Sequence, residues 1–361
     1  MSTPISFTTN GTPVAAMNAH PRWPRITVLS VLGYEAAGCL AGGVMLMAVP
    51  DGSLMDMPVT IMHGSFPDFT IPGLLLFCLG VLNTVAFYTV FTRKSNDWIM
   101  AGVALGGMVT WFWIEIAILL KLHWLHLMWG VPVLVGLLAN AWQLPSREVL
   151  RRLLLTCGIA ASLLYATIIA IVAAREPTYD LAGQTISELS AIGAPTRTLW
   201  IILCTPYTWL MLAFAMGVWY SGRQYRPLRM VGLLLGAYAV LGLLWPLAPM
   251  HQRDMLATTG GSFSDTAHIV LGAVTQIIFL LSLGLSAQAF GKGFRVYAII
   301  TLIFVIAFGL LTFIAAPGIA RGTPTPLIGV WECINIGVFL LWVIVLALRT
   351  IRYNGPGTGN A

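Results

Sequence analysis

The sequence predicts an all-α fold, a polytopic helical membrane protein of about ten transmembrane helices with both termini cytoplasmic, and three observations predict it. Charged residues make up only 9% of the 361 residues and hydrophobic ones 58%, against about a quarter and about half in a soluble domain. Ten runs reach the roughly 20 apolar residues that a helix needs to cross a bilayer. They fall near 26–49, 71–92, 98–120, 124–143, 153–174, 198–220, 230–249, 266–290, 296–316 and 327–348. Finally, of the 19 Lys and Arg residues, all but Lys121, Arg175, Arg197, Arg253 and Arg321 fall on the side shared by the two termini. An excess of basic residues in short loops marks the cytoplasmic side.

Taken in order, residues 1–25 form a Thr/Ser/Asn/Pro-rich tail expected to be disordered. Arg22 and Arg25 precede the first span, which is too long for a signal-peptide core and reads as an uncleaved anchor. Within it, Gly38 and Gly42 form a Gly-x-x-x-Gly pair that lets another backbone approach. Glu35 lies near its middle, where an acid costs on the order of 3 kcal/mol unless it is neutral or faces a polar partner. Glu115 in the third span and Glu332 in the tenth pose the same problem.

The loop from Pro50 to Gly73 is too polar and Pro-broken to span. Its Met55, Met57, Met62 and His63 are either soft copper ligands or, the simpler reading, part of a segment lying in the membrane interface. His123 and His126 follow the third span at a spacing that places them on one helix face. Without a third ligand they make a poor metal site, and Trp124 and Trp129 beside them suit an aromatic belt. Pro145 then stops the fourth span and Ser146 is positioned to cap the fifth. This divides the chain into a four-span module, 26–145, and a six-span module, 146–352, before a flexible tail, 353–361. Both modules begin and end in the cytoplasm.

The net charge of +6 comes from dispersed basic residues, so it speaks for topology and against nucleic-acid binding. Acids segregate the other way: Asp51, Asp56, Asp68, Glu176, Asp180, Glu188, Asp254 and Asp265 lie outside, Asp97 and Glu148 inside. His63, His123, His126, His251 and His268 also fall outside, so side chains able to do chemistry concentrate at one face. Cys39, Cys78, Cys157, Cys204 and Cys333 all sit in spans and offer neither a disulfide framework nor a Cys-x-x-Cys motif. Walker, dinucleotide, His-Glu-x-x-His and Gly-x-Ser-x-Gly motifs are missing, which argues against common ATPases, oxidoreductases and serine hydrolases.

The longest polar interruption of the second half is Tyr179 to Arg197. It carries Tyr179-Asp180, Gln184-Thr185-Ile186-Ser187-Glu188-Leu189 and Gly193-Ala194-Pro195-Thr196-Arg197. With Arg226-Pro227-Leu228, Trp245-Pro246, His268 and Trp331-Glu332, these motifs make residues 153–352 resemble the domain of unknown function 998 family of bacterial and archaeal membrane proteins. The resemblance implies a bundle of six or seven spans in the cytoplasmic (inner) membrane of a prokaryote, and it brings no established activity. Many members resemble one another in a second His one turn before the position of His268, where this chain has Ser264-Asp265-Thr266-Ala267. The first module is loosely similar to small four-span bacterial proteins of unknown role through Asp68-Phe69-x-Ile71-Pro72-Gly73 and Trp124-Leu125-His126.

Candidate catalytic or binding residues are Asp180, Ser187, Glu188, His251, Asp254, Asp265, His268 and Glu332, all expected at one membrane depth. His251-x-x-Asp254 and Asp265-x-x-His268 each place a carboxylate and an imidazole on one helical face. His251, Asp265 and His268 are the candidate metal ligands for a zinc-bound water or a general base. Structural roles compete: Ser264 or Asp265 as a helix cap, Ser187 and Glu188 as caps of a short helix, Asp180 as a partner of Arg197 or Arg253. The leading functional expectation is binding of a lipid headgroup, ion or partner at an extracytoplasmic polar pocket, beside the lipid bilayer as constant partner and with no cofactor assigned. The alternatives are a membrane-embedded metal-dependent hydrolase acting on a lipid, similar in kind to alkaline-ceramidase-type enzymes, and a proton-coupled secondary transporter using Glu35, Glu115 and Glu332.

Overall fold

The computed structural model of the chain describes residues 22–143 and 146–352. Residues 1–21 and 353–361 of the expected tails and Pro145 lie outside those residues, while residues 23–25, expected in the disordered tail, already form the first turn of a helix. Each of the ten apolar runs forms a helix long and apolar enough to cross a membrane. They are α1 (Trp23–Ala48), α2 (Thr70–Phe91), α3 (Asp97–Leu119), α4 (Trp124–Ala141), α5 (Arg147–Ala174), α6 (Arg197–Ser221), α7 (Arg226–Leu244), α9 (Phe263–Ser286), α10 (Lys292–Ala315) and α12 (Ile328–Arg352), with two short helices, α8 (Arg253–Thr259) and α11 (Pro317–Ala320), between spans. The protein is thus a multi-pass helical membrane protein, and ten crossings return Arg352 to the face from which Trp23 sets out.

The spans close into two rings. In the first, α1 packs on α2, α2 on α3, α3 on α4 and α4 on α1. In the second, α5, α6, α7, α9, α10 and α12 each touch the next and α12 closes on α5. The rings have separate apolar cores and meet where α3 touches α6.

Small residues set the close approaches. A side chain at Gly43 would run into the Phe77 backbone and the Gly73 carbonyl, so α1 and α2 touch nearly backbone to backbone. Gly38, expected to serve that purpose, instead makes room for the Trp129 indole of α4. In the second ring, Phe279 stacks on Phe339 at 3.5 Å between ring centroids and Trp342 lies 5.3 Å from Phe339.

Lipid offers no partners for polar groups, and several of those inside the rings bond across helices. Gln276 Nε2 and Asn335 Nδ2 both donate to the Val305 carbonyl at 2.8 Å, stitching α9 and α12 to α10. Ser162 Oγ donates to the Leu340 carbonyl at 3.1 Å, joining α5 to α12.

The two ends of the bundle differ. At the arginine-rich end, Ser146 caps α5 by accepting the Val149 N–H at 3.2 Å, as its position predicts. Arg25 donates to the Val90 and Phe91 carbonyls at 2.6 and 2.9 Å, and Arg151 to those of Thr350 and Ile351 at 2.9 and 3.3 Å. Both guanidiniums thereby neutralise the negative C-terminal ends of helices. A cavity of about 420 Å³ opens at the same end, lined by Ala289, Phe290, Gly291, Arg349 and Arg352.

The opposite end, called the loop end below, carries residues 49–69, 120–123, 175–196, 245–262 and 316–327. There Met62 is buried against Leu46, Phe69 and Ile118, and His63 Nδ1 lies 3.1 Å from the Ile118 carbonyl. Asp51 and Asp68 each accept a backbone N–H, from Ser53 and Thr70, which holds their carboxyls below the usual range. His123 and His126 do not share a helix face: His123 is the N-cap of α4, and its N–H donates to His126 Nδ1 at 2.9 Å.

Candidate functional site

The Tyr179–Arg197 stretch is folded by its own polar side chains. Asp180 N–H donates to Gln184 Oε1 at 2.7 Å, and Asp180 Oδ1 accepts the Ala182 N–H at 2.9 Å. Asp180 therefore closes a local turn and pairs with neither Arg197 nor Arg253. A 3-10 helix follows, Ile186–Ser190, with Thr185 as N-cap. Glu188 turns back to accept the Thr185 N–H at 2.7 Å, the return half of a capping box. The expectation that Ser187 caps this helix is corrected: Ser187 sits inside it, and its carbonyl accepts the Ser190 hydroxyl at 3.1 Å. Gly193, at φ +84°, supplies the left-handed turn residue expected before Pro195. Arg197 then ties the loop down through the Ser190 and Pro246 carbonyls at 2.7 and 3.0 Å.

Arg253, in the first turn of α8, organises the centre of this layer. Its Nε and Nη2 donate to both oxygens of Glu188 at 3.0 and 3.1 Å, Nη2 also reaches the Gly183 carbonyl at 2.9 Å, and Nη1 the Thr325 hydroxyl at 3.1 Å. Such a two-pronged bond fixes geometry as well as charge. The Glu188 carboxylate, its side chain only 5% exposed, holds the Arg253 pKa above its ordinary value. Burial, with Glu332 and other carboxylates adding to it, pushes the Tyr179 phenol up. It thus stays a donor, to the Gln184 carbonyl at 3.3 Å.

The intramembrane acid of α12 has a partner in the same layer. Glu332 Oε2 accepts the Ile186 N–H at 2.6 Å, one of the N–H groups that a helix start leaves unpaired. One turn earlier, Gly329 N–H donates to the Ala182 carbonyl at 2.9 Å. A methyl at Gly329 would collide with the Gln184 and Leu181 carbonyls. Gly329→Ala is expected to lower stability by about 1–3 kcal/mol, the cost of overpacking, and thermal melting in detergent measures it.

A second network lies beside the first, joined to it where Ile192 N–H donates to the Met250 carbonyl at 2.8 Å. Asp265 Oδ1 accepts the His251 backbone N–H at 2.7 Å, while Oδ2 lies 2.8 Å from His251 Nδ1 and accepts the Ser262 N–H and hydroxyl at 2.8 and 2.7 Å. Ser262 is the N-cap of α9 and Asp265 its capping-box partner, so the expected cap at Ser264 or Asp265 shifts to Ser262. Ser264 instead donates to the Pro249 carbonyl at 2.6 Å. A neutral imidazole whose Nδ1 faces a carboxylate carries its proton there and presents Nε2 as an acceptor. Among the described residues no hydrogen bond engages His251 Nε2, and the side chain is 28% exposed.

The helical spacings therefore pair the wrong groups. His251 precedes α8, whose N-cap Gln252 is extended, so it does not share a face with Asp254, which is exposed. His268 lies one turn after Asp265 on α9, but its Nδ1 lies 2.9 Å from the Ala248 carbonyl and its ring meets Trp245 edge to face at 4.7 Å, with no hydrogen bond to Asp265. Among the described residues no three His, Cys, Asp or Glu side chains are grouped to hold a metal ion. Of the candidates, Glu188 and Glu332 meet at the 3-10 helix, His251 and Asp265 pair beside it, and Asp180, Ser187, Asp254 and His268 stand apart. Sequence reasoning missed the central place of Arg253, Thr325 and Gln184; the one signal was Arg253 as a rare base in an acidic set of loops.

Comparison with known proteins places residues 159–349 in a match to the family described as Protein of unknown function (DUF998). The match runs from α5 to α12 and includes every residue of both networks. No curated protein and no solved structure matches the chain.

Proposed function

The chain belongs to that family, and we propose that it is a non-enzymatic binding protein that takes an ammonium- or hydroxyl-bearing lipid headgroup at the loop end. The observation that carries this reading is His251. Asp265 fixes the ring and its tautomer, so Nε2 is a preorganised acceptor at a partly open surface where helices end. A donor on a headgroup suits such a group, and the exposed carboxylates of Asp180 and Asp254 add attraction for a cation. The distribution of basic residues favours the extracytoplasmic side for this layer. The two closed rings support a division into the modules 26–145 and 146–352. A hydrolase would need a third metal ligand or a hydroxyl at Nε2, and no described residue supplies either.

Mass spectrometry of lipids retained by the purified protein tests the proposal. Wild type is expected to hold an amine- or hydroxyl-headgroup lipid in stoichiometric amount, and His251→Ala to lose most of it with little change in melting temperature. Equal retention by both proteins overturns the assignment.

A further inference from the structure

The first ring contains a carboxyl that the fold leaves without a partner. Glu35 is fully buried in α1, and neither of its oxygens has a hydrogen-bond partner. Close contacts fix what lies at its depth. Gly33 meets Phe87 and Gly80 meets Leu40, so Asn83 of α2 stands within about a turn of it. Asn83 is also fully buried; its Nδ2 donates to the Leu79 carbonyl, and its Oδ1 has no partner. On α4, Gly136 meets Val31 and Trp129 fills the space at Gly38, which puts Pro132 at the level of Glu35. A proline has no N–H for the carbonyl four residues back, here that of Met128. Acceptors gather at this depth, and what they lack is a proton.

We infer that Glu35 is a proton-binding site of the four-helix ring, filled and emptied from the loop end past Glu115 and His126. An unpaired carboxylate in an apolar core is far costlier than the neutral acid, so the closed ring holds Glu35 protonated. An intramembrane acid facing a bundle interior is the usual mark of a proton or ion pathway. Toward the loop end, Cys39 lies within electrostatic reach of both Glu35 and Glu115 and its Sγ meets Met108 Sδ at 3.5 Å. Farther out, His126 Nδ1 accepts the His123 N–H at 2.9 Å. The same Nδ1 lies 3.2 Å from the His123 carbonyl, and Nε2 lies 3.7 Å from Glu115 Oε2.

Arg25 of α1 and Asp97 of α3 lie at the arginine-rich end, and the remaining titratable groups of the ring are few. On α1 the buried one besides Glu35 is Cys39, Tyr34 being exposed; on α2 Cys78 and Tyr88 are exposed; α3 offers Glu115 and α4 His126. When the ring opens to water, the Glu35 carboxyl gives its proton to a water molecule, forming carboxylate and hydronium. Glu115 and His126 then exchange that proton with the surface.

A membrane-permeant carbodiimide, which forms a stable adduct with protonated carboxyls in apolar surroundings, tests the site in the full-length protein in liposomes. Peptide mapping is expected to find the adduct on Glu35, decreasing as pH rises from about 5 to about 9, and to find none at this position in Glu35→Gln. Melting provides an independent reading. The folded state keeps a proton that the unfolded chain releases, so wild-type stability falls as pH rises through this range. Glu35→Gln removes that slope, and Glu35→Met melts no lower than wild type because the stranded carboxyl is gone from the apolar core. Modification of Glu115 but not Glu35, the same pH slope in Glu35→Gln, or melting that follows sodium concentration and not pH overturns the proposal.

Discussion

Asp265→Ala is expected to lower stability by on the order of 3 kcal/mol, since it strands several buried donors together. The carboxylate is only 7% exposed and accepts from the His251 N–H, the Ser262 N–H and the Ser262 hydroxyl, while it also fixes His251 Nδ1. Alanine leaves the two backbone N–H groups without their acceptor and removes one half of the α9 capping box. Asp265→Asn keeps one acceptor oxygen and should cost less than half as much. Melting curves of the two variants, with the imidazole nitrogen shifts of His251 read by NMR, separate the effects. Alanine frees the tautomer as well as destabilising the helix start. A loss below about 0.5 kcal/mol, the level of ordinary surface changes, would show that water replaces the carboxylate and that His251 is not preorganised.

The spans were legible because a bilayer demands long apolar runs, and composition records that demand directly. Their ends were less so. The fifth run is expected from residue 153, yet α5 begins at Arg147, because a helix continues past the lipid where Arg147 and Arg152 reach water, Arg151 binds the end of α12 and Ser146 caps it. The short helices α8 and α11 are built by local capping and packing, which an apolar run does not report. The site was legible in its membership more than in its pairing. Spacing of i, i+3 joins His251 to Asp254 only within continuous helix, and Asp265 and His268, which do share α9, turn to other partners, the carboxylate to His251 and Ser262 and the imidazole to Ala248 and Trp245. One extended residue, Gln252, takes His251 off α8 and turns it toward α9. The bonds from Arg253 to Glu188 and from Ile186 to Glu332 join residues 65 and 146 positions apart. They depend on how the 175–196 loop folds back over α12, which no local pattern encodes.

Arg253→Ala should also cost on the order of 3 kcal/mol, because removing one partner of a buried ion pair leaves the other charge uncompensated. Glu188 would keep the Thr185 N–H and hydroxyl and the Gln184 amide, which limits the loss. The Gly183 carbonyl would still accept from the Thr325 hydroxyl. Arg253→Lys keeps the charge but cannot span both Glu188 oxygens, Gly183 and Thr325 at once, so it should fall between alanine and wild type. Adding Glu188→Gln to Arg253→Ala should recover part of the loss, with a coupling of about 1–3 kcal/mol in a double-mutant cycle. Additive losses would mean that the pair is solvated and does not hold the layer together. The two networks also separate by function. Below its lowered melting temperature, Arg253→Ala leaves Asp265 and His251 in place and should keep the bound headgroup, whereas Asp265→Ala should release it even where the protein remains folded.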